Sequence, residues 1–338
     1  LSRELGEIKK YSGDYYRWAL QARKAYIELR LRQDPEIRNL YIKAADRVAK
    51  EIRQLVLKTP SSYIQKRHLE QLEWLLREEA DRFVKDLKGI LEKIITDAVE
   101  SGSAYSQNIL ITVIETAGAT VIEKNTVRQL YAGVNNKAIE ACWARTTKGL
   151  YISDRIWQQG ERIQTIMRDI IQEAVATGQD AVKTARMLER YVRTNAKTVA
   201  KEYPNMMERM AGRIPGNLSY EALRLARTEM TAAFGEGTIA GGRVSPSYKG
   251  IKWVLSKSHP IEDICDTLAS ADNYGLGPGV YPPGEEPPYP AHPNELCHLV
   301  PIHQQPEELV DRLKRWQEKP DSEPDLEEWY QTVYKKAT

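Results

Sequence analysis

The chain has 338 residues and a mass of 38.6 kDa, enough for two or three domains with cores of their own. Its 41% hydrophobic and 28% charged residues, with a formal net charge of +2, describe a soluble protein, and no apolar run is long enough to cross a bilayer. Three cysteines are too few for a disulfide scaffold, so a reducing compartment is the default, and the first residues lack the basic-then-apolar layout of a signal peptide.

Residues 1–145 read as an elongated arm of long amphipathic helices. "DPEIRNLYIKAADRVAKEIRQLVL" places Asp34 as an N-cap and Pro35 at the first helical position, and Ile37, Leu40, Tyr41, Ala44, Val48, Ile52 and Leu55 then recur at three- and four-residue intervals. After a break at Thr59-Pro60-Ser61, the same period returns from Ser62 to about Val99 through Leu69, Leu72, Leu76, Phe83, Leu87, Ile90 and Ile94, with Gly102 as the stop. Residues 106–125 are more apolar and β-branched, and lean towards helix.

From residue 146 the elements shorten. Residues 146–235 read as helices: one capped by Ser153, a turn at Gly178, a second over "DAVKTARMLERYV", and a third from Ser219 to a glycine-rich exit at Gly235 and Gly237. Residues 236–305 form a small α+β part. There "GIKWVLSKS" alternates with a period of two, puts Ile251, Trp253 and Leu255 on one side of a strand, and delivers His259 from its end. Residues 306–338 are a short amphipathic helix, presenting Leu309, Leu313 and Trp316, and an acidic tail. That apolar stripe packs against its own domain or docks a partner.

Basic groups exceed acidic ones over residues 1–58 and 181–213, and the reverse holds from 306 to 338. Lys183, Arg186, Arg190, Arg193, Lys197 and Lys201 are candidates for contacts with nucleic-acid phosphates. Without interleaved aromatics, the same charges also read as a solvated helix face.

Two stretches carry the distinctive chemistry. "SHPIEDICD" (258–266) and "AHPNELCHLVP" (291–301) each hold a His-Pro pair followed closely by a cysteine, in a chain with only five histidines and three cysteines. More than half of the residues from Asn273 to Pro293 between them are glycine or proline, so neither a helix nor an interior strand forms there. A long structureless loop is unusual inside a domain unless both its ends are fixed. His259, Cys265, His292 and Cys297 stand at those ends, and two imidazoles with two thiolates are the set that tetrahedral zinc takes in closed structural sites. A Cys265–Cys297 disulfide, a catalytic metal and unrelated surface residues are the alternatives. Asp263, Asp266, Glu295, His298 and His303 are further donors, any of which could replace one of the four.

"LYISDRIW", "ARTEMTAAFGEG", "KWVLSKSHPIEDICD" and "PAHPNELCHLVP", in this order over residues 146–302, resemble the phage Mu F-like head morphogenesis family, the minor head proteins of tailed phages. Where many relatives carry a His-Pro-Asn-Cys-x-Cys pattern, this chain has Glu295 in place of the first of the two cysteines, which favours a mixed His/Cys site. The resemblance implies a virion component at or near the portal inside the head, present in the host cytoplasm during assembly. Its implied role is head morphogenesis and DNA packaging or ejection, with portal protein, other head proteins and possibly phage genomic DNA as partners, and neither membrane nor small-molecule substrate. Removal of residues 1–100 is expected to leave a folded, zinc-loaded remainder.

A closed four-ligand site leaves no water to activate, so the chain is expected not to be an enzyme. The competing expectation is a metal-dependent hydrolase or toxin-associated enzyme domain with Glu229 or Glu262 as base. Against it, the sequence has no H-E-x-x-H, nucleophile elbow or phosphate loop. A purely DNA-binding protein would need a recognisable reading module, and none is present.

Overall fold

A computed structural model describes residues 3–58, 61–259 and 261–337, and shows a mainly α protein with one small antiparallel sheet. In chain order the elements are α1 (Arg3–Ser12), α2 (Tyr16–Leu57), α3 (Leu69–Ala117), α4 (Lys124–Ala144), α5 (Ile152–Ala176), α6 (Ala181–Arg193), α7 (Ala196–Glu202), α8 (Pro204–Arg209), α9 (Tyr220–Arg243), β1 (Tyr248–Val254), α10 (Ile264–Ser270), β2 (Val280–Tyr281), β3 (His298–His303), α11 (Pro306–Glu318) and α12 (Pro324–Trp329). No helix among the described residues is long and apolar enough to cross a membrane.

Several local signals give way to packing. Asp34 and Pro35 do not open a helix, because both lie inside α2. Tyr26 and Leu29 before the proline and Ile37 and Leu40 after it are all buried, and this continuous apolar face outweighs the backbone hydrogen bond that a proline removes. Thr59 and Pro60, expected as a break, lie outside the described residues. Gly102 does not end α3, nor do Gly235 and Gly237 end α9. Gly102 and Gly237 instead permit a close helix crossing, since a Cβ on Gly102 would run into the backbone of Phe234 and Thr238 and one on Gly237 into the backbone of Val99, while Gly235 leaves room for the Tyr289 ring. Helix α5 is capped at Tyr151 rather than Ser153. Gly178, with φ of 62°, does make the turn before α6.

The chain divides into two units that are interleaved in sequence: residues 1–31, 93–144 and 227–338 form one, residues 32–92 and 145–226 the other. The N-terminal 145 residues are thus shared between both units. In the second unit, Arg53 pairs with Glu189 at 2.6 Å, Arg47 with Glu79 at 2.6 Å and Arg168 with Glu73 at 2.6 Å, and Glu173 binds both Arg209 and Arg213.

The first unit carries the sheet, in strand order β2-β1-β3 with all pairings antiparallel. In register, Ile251 faces Tyr281, and Val254 faces His298. Gly250, with φ of 128°, sits at an irregularity in β1 where a side chain would meet the backbone at Tyr281 and Pro282. Under the sheet, Tyr248, Ile251, Trp253, Cys265, Tyr281, Cys297 and Leu299 make one apolar cluster. A larger one joins Ile8 and Tyr15 to Ile109, Val113, Tyr131, Val300, Leu309, Leu313, Trp316 and Trp329. The stripe of Leu309, Leu313 and Trp316 therefore packs inside its own unit. Behind it, Arg312 is nearly buried and satisfied by Glu323, Asp325 and Gln304.

Candidate metal centre

The strand β1 ends at Val254 and the chain turns out through Ser256 to His259, where α10 is prepared. Asp263 is the N-cap of that helix: its Oδ1 accepts from the Cys265 N–H at 2.8 Å, and the Asp266 Oδ2 accepts from the Asp263 N–H at 2.9 Å. This reciprocal cap fixes the first turn and aims Cys265, fully buried, inward. The second cysteine arrives by another route. Cys297 directly precedes β3, whose pairing with β1 returns it beside the end of that strand.

The fold brings the four predicted residues near one another as two crosswise pairs, although no single metal-capable group among the described residues contains all four. Cys265 Sγ lies 3.3 Å from His292 Nε2, and Cys297 Sγ lies 3.7 Å from His259 Nδ1. Around a tetrahedral ion bound at about 2.3 Å by sulfur and about 2.0 Å by nitrogen, a sulfur–nitrogen edge spans about 3.6 Å. The outer nitrogens are also committed. His259 Nε2 lies 2.8 Å from Asp266 Oδ2, and His292 Nδ1 lies 3.0 Å from the Pro293 carbonyl. A proton on each of these nitrogens leaves Nδ1 of His259 and Nε2 of His292 as lone-pair donors, the arrangement in which carboxylates and carbonyls orient metal-binding histidines. Both cysteines are free thiols rather than a disulfide.

Three acidic side chains complete the cluster. Asp263 Oδ2 lies 3.2 Å from His292 Nε2, Glu295 Oε2 lies 3.0 Å from Cys265 Sγ, and Asp266 engages His259. Among the described residues, three overlapping groups bring their donor atoms within 4.8 Å of one another and could hold a metal ion: Asp263, Cys265 and His292; Cys265, Glu295 and Cys297; His259, Asp263 and Asp266. The Cys265 thiol is pushed well up by its hydrogen bond with Cys297, by burial and by the Glu295 carboxylate. A cation would reverse that balance, since thiolate is the ligating form. The Asp266 carboxyl is held down by the Asp263 N–H and by His259.

His298 and His303, the other two histidines considered as donors, stand apart from these groups. His303 is buried between Ser106 and Ser247, with Nε2 2.9 Å from one hydroxyl and Nδ1 2.8 Å from the other, and burial lowers its pKa to about 3. His298 is buried with neither ring nitrogen in a hydrogen bond, and burial keeps it neutral.

Sequence periodicity gave no sign of the residues that clamp the two loops. Glu4 of α1 accepts from the Lys257 N–H at 2.8 Å and pairs with Arg23 at 2.8 Å. Arg23 donates to the Leu296 carbonyl at 3.3 Å, while Tyr26 and Arg30 donate to the Glu295 carbonyl at 3.0 and 3.1 Å. Tyr289 adds a bond to the Cys297 carbonyl at 2.8 Å. Glu4, Arg23, Tyr26 and Arg30 hold the backbone of the metal-binding part, which argues against the expectation that residues 1–100 can be removed without loss to it. Their only signal in the sequence is an Arg/Tyr-rich stretch, which the helical period explains equally well.

Glu229, one of the two bases considered for an enzyme, is buried in α9, and Glu262 is exposed in the loop before α10. Neither belongs to the three metal-capable groups. The six basic residues considered for phosphate contacts are all exposed on α6 and α7. Arg190 is paired with Glu202 at 3.1 Å and Arg193 with Asp46 at 2.8 Å.

Comparison with protein families, with curated proteins and with solved structures returns no match to this chain.

Proposed function

We propose that the chain is a minor head protein of a tailed bacteriophage, of the Mu F-like type, in which the His/Cys cluster holds a structural zinc ion. The observation that carries the zinc is the crosswise approach of Cys265 to His292 and of Cys297 to His259, which joins the ends of a glycine- and proline-rich loop. Zinc suits this donor set because thiolate and imidazole are its usual ligands and a closed shell requires no open position. The ion would close the loop as a disulfide does in an oxidising compartment. The head-protein role rests on the ordered motifs over residues 146–302.

The role is taken as non-enzymatic. A hydrolase would need a carboxylate base beside an ion with a free position, and neither Glu229 nor Glu262 shares a metal-capable group with the thiols. The partners that follow are the portal protein and neighbouring head proteins, with genomic DNA touched through its phosphates by Lys183, Arg186, Lys197 and Lys201. Mass spectrometry of purified particles from the phage or prophage that encodes the chain tests this role. The chain should be present in few copies in filled heads; its absence from particles whose portal is detected would rule the role out.

A further inference from the structure

Glu295 sits inside the cluster rather than at its edge. Its side chain is fully buried, with Oε2 3.0 Å from Cys265 Sγ and 3.3 Å from His292 Nε2. Its other oxygen is already used, because Oε1 accepts from the N–H groups of Leu296 and Cys297 at 3.1 and 3.0 Å. Only Oε2 therefore faces the thiols. Cys265, Glu295 and Cys297 form the one metal-capable group, among the described residues, whose members are all buried.

A carboxylate buried against two thiols is costly unless a positive charge lies near it. Among the described residues, the only ionic partner of the Glu295 carboxylate is His292, itself a candidate ligand. A divalent cation between the thiols would resolve the conflict. His259 is placed differently: it shares a metal-capable group only with Asp263 and Asp266, and its Nε2 is held by Asp266. Asp263 caps α10 through Oδ1, and its Oδ2, 3.2 Å from His292 Nε2, lies at the part-exposed edge of the cluster, whereas Glu295 is fully buried.

Building on the zinc reading above, we infer that Glu295 is itself a ligand, through Oε2, in a shell completed by Cys265 Sγ, Cys297 Sγ and His292 Nε2. His259 then stands outside the shell beside Cys297, its Nδ1 3.7 Å from the sulfur, with Asp266 fixing its ring. Two thiolates, one carboxylate and a neutral imidazole leave a single negative charge on the bound dication. The two N–H groups on Oε1 temper it.

Cobalt(II) loaded into the full-length chain reports the shell directly, since each thiolate ligand adds to the near-ultraviolet charge-transfer band. The wild-type chain should show the intensity of two thiolates, and Glu295→Cys that of three. Glu295→Gln should weaken cobalt binding beyond the roughly 10–100-fold that loss of an outer partner costs, while His259→Gln should stay within that range. An unchanged band in Glu295→Cys, or a larger loss in His259→Gln than in Glu295→Gln, overturns the assignment of Glu295 and leaves the zinc site standing. A wild-type chain that binds neither cobalt nor zinc overturns both.

Discussion

Cys265 Sγ and His292 Nε2 lie 3.3 Å apart although the two residues are 27 positions apart in the chain. After α10 ends at Ser270, the segment between them has only the two residues of β2 as regular structure, and its ends are held by side chains and by clamps from α1 and α2. A chain beginning at residue 32 lacks Glu4, Arg23, Tyr26 and Arg30 and should fail to retain zinc through gel filtration. Tyr26→Phe should cost about 1 kcal/mol in denaturant unfolding. Glu4→Ala, which strands the nearly buried Arg23, should cost roughly 3–5 kcal/mol. A metal-loaded remainder after deletion of residues 1–31 would show the clamps to be dispensable.

His303 makes stability depend on pH. Three aromatic rings, of Tyr15, Tyr105 and Tyr248, surround it, and it is held neutral with a pKa lowered to about 3 against 6.5 for a free histidine. Its unfolded form binds the proton more readily, so this contribution is complete above pH 6.5 and is lost as pH falls towards 3. At about pH 5 the loss should be about 2 kcal/mol. Urea unfolding of wild type and His303→Gln, each at neutral and acidic pH, measures it: the wild type should lose more stability on acidification than the variant. Equal losses would place the acid sensitivity elsewhere.

The crossing of α3 and α9 depends on missing side chains. A Cβ on Gly241 would approach Ser103 Cα to 2.8 Å, and one on Gly237 would strike the Val99 backbone. Gly237→Ala should therefore destabilise the protein by about 1–3 kcal/mol, whereas Gly133→Ala in α4, with open space around it, should be neutral or slightly stabilising. Thermal unfolding of the two variants separates a packing role from plain helix propensity.

Phosphate-borne contacts with DNA should reside on exposed cations that form no ion pair among the described residues. Charge reversal at Lys183, Arg186 and Lys197 should weaken cosedimentation with double-stranded DNA, and the difference from wild type should shrink as salt is raised. Reversal at Arg190 and Arg193 should instead lower stability, because these residues pair with Glu202 and Asp46. Wild-type binding that ignores salt would exclude a phosphate-borne contact.

The mainly helical architecture, the strand leading to His259 and the convergence of the two His/Cys stretches were all legible in the sequence. Scarce residue types in repeated local patterns carry that information. Asp34, Pro35, Gly102 and Gly237 misled because each is a boundary signal only when burial does not continue through it, and here it does. Glu295 was visible only as an extra donor. What separates it from Asp263 is burial and the two N–H groups on Oε1, both set by the turn before β3. The clamps from α1 and α2 are contacts across more than two hundred residues, to which no local period points.

X-ray absorption at the zinc edge, on full-length protein purified without chelator and with the metal content of the same sample measured, tests the central claim most directly. One zinc per chain is expected, with sulfur scatterers at about 2.3 Å and nitrogen or oxygen scatterers at about 2.0–2.2 Å in equal number. A chain without bound zinc, or an ion surrounded by oxygen and nitrogen alone, would contradict a site built on Cys265 and Cys297.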